Sequence, residues 1–240
     1  MGEQITISAK NLGALALPDF CPRCFWVKEH AKGLPYQIFP GIFNSIDAYG
    51  KKLVSGWFAR HAQVPLWLGQ LGLVKACIKP PHYTKFSVFD QASGVVLRGS
   101  PDGLLLMQDD SYVIVDYKTA KITNKQDELF PMYEVQLNAY AHIAMCTGFD
   151  PVSGLYLVYN EPETDDEIVS RDDRQSSSGF VLGFKACIKP VAVNDDLILD
   201  LLLRVRKIVD CANPPLSKEG CKDCELLRSL ISLEKGVYAG

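Results

Sequence analysis

The sequence predicts an α/β fold with a mixed central sheet flanked by helices, and three observations carry that expectation. Short apolar runs, Val95–Met107 and Tyr112–Thr119, have the length and β-branched content of buried strands. Segments with apolar residues three and four positions apart stand between such runs, at 44–62, 133–147 and 195–211, and read as amphipathic helices. Cys-x-x-Cys pairs stand near both ends, Cys21/Cys24 and Cys221/Cys224, so a shared metal would staple the chain's two extremities. The expected organisation is one domain over 1–240, with a cysteine-rich metal-binding part made from 1–30 and 211–230.

Taken in order, residues 5–20 suit a short strand or turn, and a helix follows from Cys24 to His30, entered through Pro22. A Gly- and Pro-rich loop is expected over 31–43. The 44–62 helix has Ile46, Tyr49, Leu53, Trp57 and Phe58 at helical spacing, with Asn44 or Ser45 as its cap. Leu73–Ile78 and Lys85–Phe89 are strand candidates. After the two central strands comes a helix near Tyr133–Thr147, stopped by Gly148, then a strand at Leu155–Tyr159. Residues 161–178 are charged and Ser-rich and predict a mobile loop. Phe180–Val193 reads as a strand and Asp195–Cys211 as a helix. The string Ala-Cys-Ile-Lys-Pro occurs at 76–80 and again at 186–190, with no repeat around it.

Bulk properties exclude several classes. A chain of 240 residues, 48% hydrophobic and 22% charged, can bury a sizeable core. No apolar run approaches the ~18 residues of a membrane span, and the first residues lack a signal peptide's basic and apolar regions, so the expected compartment is the cytoplasm. There, eight cysteines suit metal ligation better than disulfides. A net charge of −3 argues against a wholly basic, nucleic-acid-coating protein and leaves room for a local basic groove.

The central strands hold the chemistry. Asp102 stands in a Pro-Asp-Gly break, and Asp116 and Lys118 interrupt an otherwise apolar run. Side chains two apart on a strand share a face, so Asp116 and Lys118 point together and Tyr117 points away. Charge in a buried strand is costly unless it is paired or holds a metal. Two carboxylates on adjacent strands, with the Tyr117 backbone carbonyl as a third oxygen, form a hard donor set for Mg²⁺ or Mn²⁺. Such an ion neutralises a phosphate and activates water, and Lys118 can orient or deprotonate that water.

The ordered set Pro101-Asp102, Asp116-Tyr117-Lys118 and, about 18 residues on, Gln136-x-x-x-Tyr140 resembles the PD-(D/E)XK nuclease superfamily, in particular its RecB-like branch. The resemblance implies a restriction-endonuclease-like core. It also implies metal-binding Asp102 and Asp116, a catalytic Lys118, and a helix placing Gln136 and Tyr140 against the active site near DNA. The family adds an acidic residue or histidine from an upstream helix; Asp47 and His61 are both candidates here. Cys21-Pro-Arg with a C-terminal cysteine cluster resembles the iron–sulfur nucleases of that superfamily, including those of CRISPR adaptation. That likeness implies a 4Fe–4S cluster on Cys21, Cys211, Cys221 and Cys224. The spacing alone implies zinc on Cys21, Cys24, Cys221 and Cys224. Cys77, Cys146 and Cys187 are expected in the core.

The expected activity is therefore metal-dependent hydrolysis of DNA, on single strands or ends, in repair, recombination or CRISPR-type defence. Lys51, Lys52, Arg60 and Lys121 would meet phosphates, and Trp57, Trp67, Tyr83 and Tyr133 could stack on unpaired bases, without sequence readout. Repair or CRISPR-adaptation proteins are the partners this implies. The alternative is a non-catalytic, metal-stapled nucleic-acid-binding or assembly protein.

Overall fold

The computed structural model describes residues 4–31 and 40–236. The chain opens with β1 (Ile5–Ser8) and α1 (Ala9–Gly13), whose first turn is capped by the Ser8 hydroxyl accepting from the Asn11 N–H. A 3₁₀ turn leads to α2 (Pro22–His30), which has Pro22 at its first position. Then come α3 (Gly41–His61), β2 (Val74–Ile78), β3 (Ser87–Asp90), β4 (Val95–Arg98), β5 (Gly103–Met107) and β6 (Tyr112–Lys118). They are followed by α4 (Asn124–Cys146), β7 (Val152–Pro162), α5 (Asp166–Val169), β8 (Gln175–Ser176), β9 (Gly179–Phe180), β10 (Phe184–Val191), α6 (Asp196–Val209) and α7 (Lys222–Glu234).

The five-stranded sheet has the order β10-β7-β6-β5-β2 and is mixed: β6 and β7 are parallel and the other pairs antiparallel. A three-stranded sheet, β1-β4-β3, stands beside it, with β1 parallel to β4. Alternation along the strands sorts the apolar side chains into two layers. Leu104, Ile114, Leu155 and Leu157 join a core with Leu137, Ala141 and Ile143 of α4 and Ile198, Leu202 and Val205 of α6. Leu105, Val113, Val115 and Val158 face the other way, toward Val54 of α3 and Leu68 and Leu71. The mixed sheet flanked by helices is the fold class read from the sequence.

Several elements differ from expectation. The run Val95–Met107 is two strands in two sheets. The Gly99 N–H closes the small sheet on the Phe86 carbonyl (3.1 Å), and Ser100–Asp102 carries the chain across to β5. The helix expected at 44–62 starts three residues earlier, at Gly41, with Pro40 at the cap position and no side-chain cap bond, so neither Asn44 nor Ser45 caps it. The loop expected at 31–43 lies largely outside the described residues. The Tyr133–Thr147 helix begins at Asn124 and carries Pro131 inside it.

Over 161–178, where a loop is expected, the chain holds the end of β7, α5 and β8. It is tied by the Arg174–Glu163 ion pair at 2.8 Å and by the Glu163 N–H on the Gly183 carbonyl at 2.9 Å. The strand expected at Phe180–Val193 divides into β9 and β10. Cys77 and Cys187 pack partly buried against the two cores, whereas Cys146, in the last turn of α4, is exposed. Among the described residues no helix is long and apolar enough to cross a membrane.

The Ala-Cys-Ile-Lys-Pro string at 186–190 lies within β10, and the one at 76–80 ends β2 and leaves it after Ile78; these strands are the two edges of the large sheet. Lys189 and Pro190 suit an edge strand, whose unpaired backbone groups would otherwise recruit another strand.

Candidate active site and metal centre

Residues from both helical layers meet at one end of β5 and β6. The antiparallel register pairs Gly103 with Val115, so the next residues outward are Asp102 and Asp116. Asp102 Oδ2 accepts the Tyr117 N–H at 2.9 Å, which pins the Pro-Asp-Gly corner to β6. Asp116 is only 3% exposed. Its position shares the face of Ile114, and with it the α4 side of the sheet; Lys118 follows on that same face. Tyr117 packs instead against the opposite core. The alternation anticipated from the sequence is the one found.

On that face Lys118 Nζ lies 2.5 Å from Asp116 Oδ2 and donates to Gln136 Oε1 at 3.3 Å. The Gln136 amide donates to Asp116 Oδ1 (3.3 Å) and to the Tyr140 hydroxyl (2.9 Å). Gln136 and Tyr140, one helical turn apart, thus form one hydrogen-bonded unit behind the carboxylate. Tyr133, a turn earlier on α4, places its ring 4.5 Å from Lys118 Nζ. Burial pushes the Asp116 carboxyl up to about 6; the Lys118 charge opposes that rise and the Asp102 charge adds to it. The Tyr140 hydroxyl is pushed upward by burial, and the Asp116 charge adds to the rise, so at neutral pH it is a neutral donor and acceptor.

The helix α3 contributes from the other layer. Lys51 Nζ bridges Asp47 Oδ2 at 2.7 Å and Asp102 Oδ1 at 2.6 Å. Burial works against the Lys51 charge, and the Asp102 and Asp47 carboxylates outweigh it, so the ammonium is held above its ordinary range. Of the two upstream candidates, the structure brings Asp47 to the carboxylates. His61 is the last residue of α3, roughly 21 Å further along the helix axis, exposed and against the Trp57 ring at 4.3 Å. It takes no part in this constellation.

The donor set fits a hard divalent cation. Asp116 Oδ2 is buried, and the Lys118 ammonium stands beside it at 2.5 Å. A buried carboxylate is costly without positive charge beside it; Lys118 supplies one such charge, and a divalent ion would add a second. Asp102, Asp116 and the Tyr117 carbonyl supply oxygen, which suits Mg²⁺ or Mn²⁺.

Apart from this site, four thiols converge. The Sγ atoms of Cys21, Cys24, Cys221 and Cys224 all lie within 4.8 Å of one another, with Cys24–Cys224 at 3.3 Å, Cys24–Cys221 at 3.5 Å and Cys21–Cys224 at 3.7 Å. Each Cys-x-x-Cys pair straddles a helix start, because Cys21 and Cys221 occupy the N-cap positions of α2 and α7. Burial raises the cost of a thiolate at Cys21. The N–H groups of Cys24 and Lys218, together with the neighbouring thiols, more than offset it and bring Cys21 down to about 6. Burial and the surrounding sulfurs push Cys24 strongly upward. A cation among these sulfurs would remove that conflict. Cys211 stays outside the group, its thiol turned to the Lys207 carbonyl at 3.3 Å.

Two contributors escaped the sequence reading. In the sequence Lys51 reads as one basic residue among several, although its i,i+4 spacing from Asp47 is a usable signal. Gly99 had no assigned role. A Cβ there would lie 2.4 Å from Tyr140 Cε1 and 2.9 Å from Cδ1, so glycine is what lets the Tyr140 ring reach Gln136. An isolated glycine interrupting an apolar strand is a sign of such close approach.

No curated protein matches the chain. A solved structure described as "Crystal structure of SSO0001" aligns with a TM-score of 0.44 at 13% identity, covering 95% of this chain and 87% of the other. A family model described as the PD-(D/E)XK nuclease superfamily matches residues 44–229, from the first turns of α3 into α7, and the chain belongs to that superfamily.

Proposed function

We propose that the protein is a divalent-metal-dependent deoxyribonuclease that hydrolyses phosphodiester bonds at ends or in single strands, without base-sequence preference. The observation that carries this reading is that Asp102 and Asp116 stand next to the paired Gly103 and Val115 at one end of adjacent strands, with Lys118 set on Asp116. Asp102 and Asp116, with the Tyr117 carbonyl, would hold Mg²⁺ or Mn²⁺. When bound, such an ion lowers the pKa of water and neutralises phosphate charge. The chain's own part is positional. Tyr117 N–H fixes the Asp102 carboxylate, Gln136 fixes that of Asp116, and Tyr140 fixes Gln136. Lys118, oriented by Gln136 Oε1, is the group that orients the attacking water and stabilises charge developing on the phosphate. Asp47 is the upstream acidic partner. Exposed Lys52 and Lys121 would meet the phosphate backbone.

At the cysteines we assign a structural zinc ion on Cys21, Cys24, Cys221 and Cys224. Four thiolates around one tetrahedral zinc are about 3.8 Å apart, close to the 3.3–3.7 Å of the three sulfur contacts above. A 4Fe–4S cubane interposes four irons and needs a wider opening, and the Cys211 it would recruit points elsewhere. A role in end processing during repair, recombination or CRISPR-type adaptation accords with this activity.

The test is cleavage of end-labelled single-stranded DNA, circular single-stranded DNA, duplex DNA and RNA in Mn²⁺ and in Mg²⁺. Cutting of linear DNA that Asp116→Ala and Lys118→Ala each lower at least a hundredfold supports the assignment. Equal cutting by wild type and both variants overturns it. Metal-dependent DNA binding without cutting would instead indicate an assembly protein.

A further inference from the structure

Lys51 occupies a position that the nuclease reading leaves unexplained. Its ammonium lies 2.7 Å from Asp47 Oδ2 and 2.6 Å from Asp102 Oδ1, so a single cation bridges a carboxylate from α3 and one from the β5 corner. Those two acids come from different elements, the α3 helix and the corner before β5, and Lys51 bridges them. With Asp116 nearby, three carboxylates converge on two lysines, Lys51 and Lys118, and the five groups together carry one net negative charge. Without Lys51 the acids would repel one another across a site that is partly out of water.

We propose that Lys51 is a resident counter-cation: it holds Asp47 and Asp102 in place in the metal-free protein and competes with the divalent ion for the Asp102 carboxylate. The inference rests on the metal-site reading given above and adds a specific competitor to it. The bridge is built to release. Lys51 and Asp47 are 35% and 42% exposed at their side chains, and Asp102 is 18% exposed, so water can take over the ammonium as the metal arrives. The bridge also leaves the Asp102 carboxylate poised, because its other oxygen stays fixed by the Tyr117 N–H whichever cation is present. Lys51 sits in the middle of a 21-residue helix on an unbranched stem. Rotation about that stem moves the charge away without unwinding the backbone.

The charge, and not the bulk, is what competes, and this separates the inference from a packing role. The measurement is Mn²⁺ affinity from the free-ion paramagnetic resonance signal, in the absence of nucleic acid, for wild type, Lys51→Met, Lys51→Arg and Asp116→Asn. Lys51→Met keeps most of the stem and a good helix residue, and a melting curve checks its folding. Two half-exposed ion pairs lost to the metal correspond to roughly tenfold tighter Mn²⁺ binding by Lys51→Met. Lys51→Arg, which keeps the charge, is expected within about threefold of wild type by the same comparison. Unchanged or weaker binding by Lys51→Met overturns the inference, as does an equal gain in both Lys51 variants. Failure of the metal-site reading has a separate signature: Asp116→Asn would then bind Mn²⁺ as tightly as wild type.

Discussion

Asp116 is tied to Gln136 by the amide N–H on its Oδ1 at 3.3 Å, and the same Gln136 receives Lys118 on its carbonyl oxygen. One side chain therefore orients both the acid and the lysine. Replacing it by leucine leaves Asp116 without its amide donor and Lys118 without its acceptor. A lost donor to a carboxylate raises its pKa further. Gln136→Leu should lower kcat about 10–100-fold, the usual cost of removing such an outer partner. It should also move the acidic limb of the pH–rate profile upward. A mere loss of folded protein would lower the amplitude and leave the limb in place.

The raised pKa of Asp116 makes a stability prediction with a definite sign. In the unfolded chain the carboxyl releases its proton near the ordinary ~3.9, whereas in the folded, metal-free protein it keeps it to about 6. Between those values the folded state binds more protons, so stability falls as pH rises. The contribution is fully present below about pH 4 and is lost as pH passes about 6. Its ceiling is on the order of 3 kcal/mol. Asp116→Asn cannot titrate. Denaturant melts of metal-free protein at pH 4.5 and pH 7.5 should therefore show wild type losing more stability than the variant, and Mn²⁺ should reduce the difference.

Gly99 offers a test of the architecture behind the site. An alanine Cβ would press on the Tyr140 ring at 2.4 Å and on Ala9 Cβ at 3.3 Å, so the ring must move. Overpacking of that kind costs typically about 1–3 kcal/mol. Moving the Tyr140 hydroxyl also deprives Gln136 of the partner that aligns it. Gly99→Ala should lose both stability and activity. Adding Tyr140→Leu should restore much of the melting temperature but not the rate, since the smaller side chain relieves the clash and leaves Gln136 unanchored.

What could be read from the sequence here was local. Asp116 and Lys118 share a face because a strand has a two-residue period, and Gln136 and Tyr140 share one because a helix has a turn of about four. Those relations need no knowledge of the rest of the chain. The misreadings concern which segment meets which. Val95–Met107 looks continuous because its two halves are equally apolar. The pairing of β4 with β1 and β3, which the Gly99 N–H extends to the Phe86 carbonyl, puts one half in another sheet. The short elements at 161–178 leave no compositional trace, and the Arg174–Glu163 pair between them is a tertiary contact. The choice between Asp47 and His61 depended on where the end of a 21-residue helix lies relative to the β5 corner, which no local pattern reports.

The cysteine centre joins residues about 200 positions apart, so its loss should be felt by the whole fold. Each sulfur contact links α2 to α7, and Trp26 of α2 adds a bond from its indole N–H to the Cys211 carbonyl at 2.9 Å. Ligands so distant in sequence converge only in the folded chain, which makes metal binding a direct contribution to folding. Cys224→Ser should abolish stoichiometric metal at this centre and lower Tm by about 10 °C, the shift that corresponds to roughly 3–4 kcal/mol in a domain of this size. Removal of the ion by a chelator at low pH should reproduce the drop in wild type. Cys211→Ser, whose thiol faces the Lys207 carbonyl, should keep full metal content and nearly wild-type Tm. Elemental analysis of the purified proteins decides between the ions: one zinc per chain is expected. Four irons per chain with acid-labile sulfide, lost in Cys211→Ser, would replace the zinc assignment with a cluster.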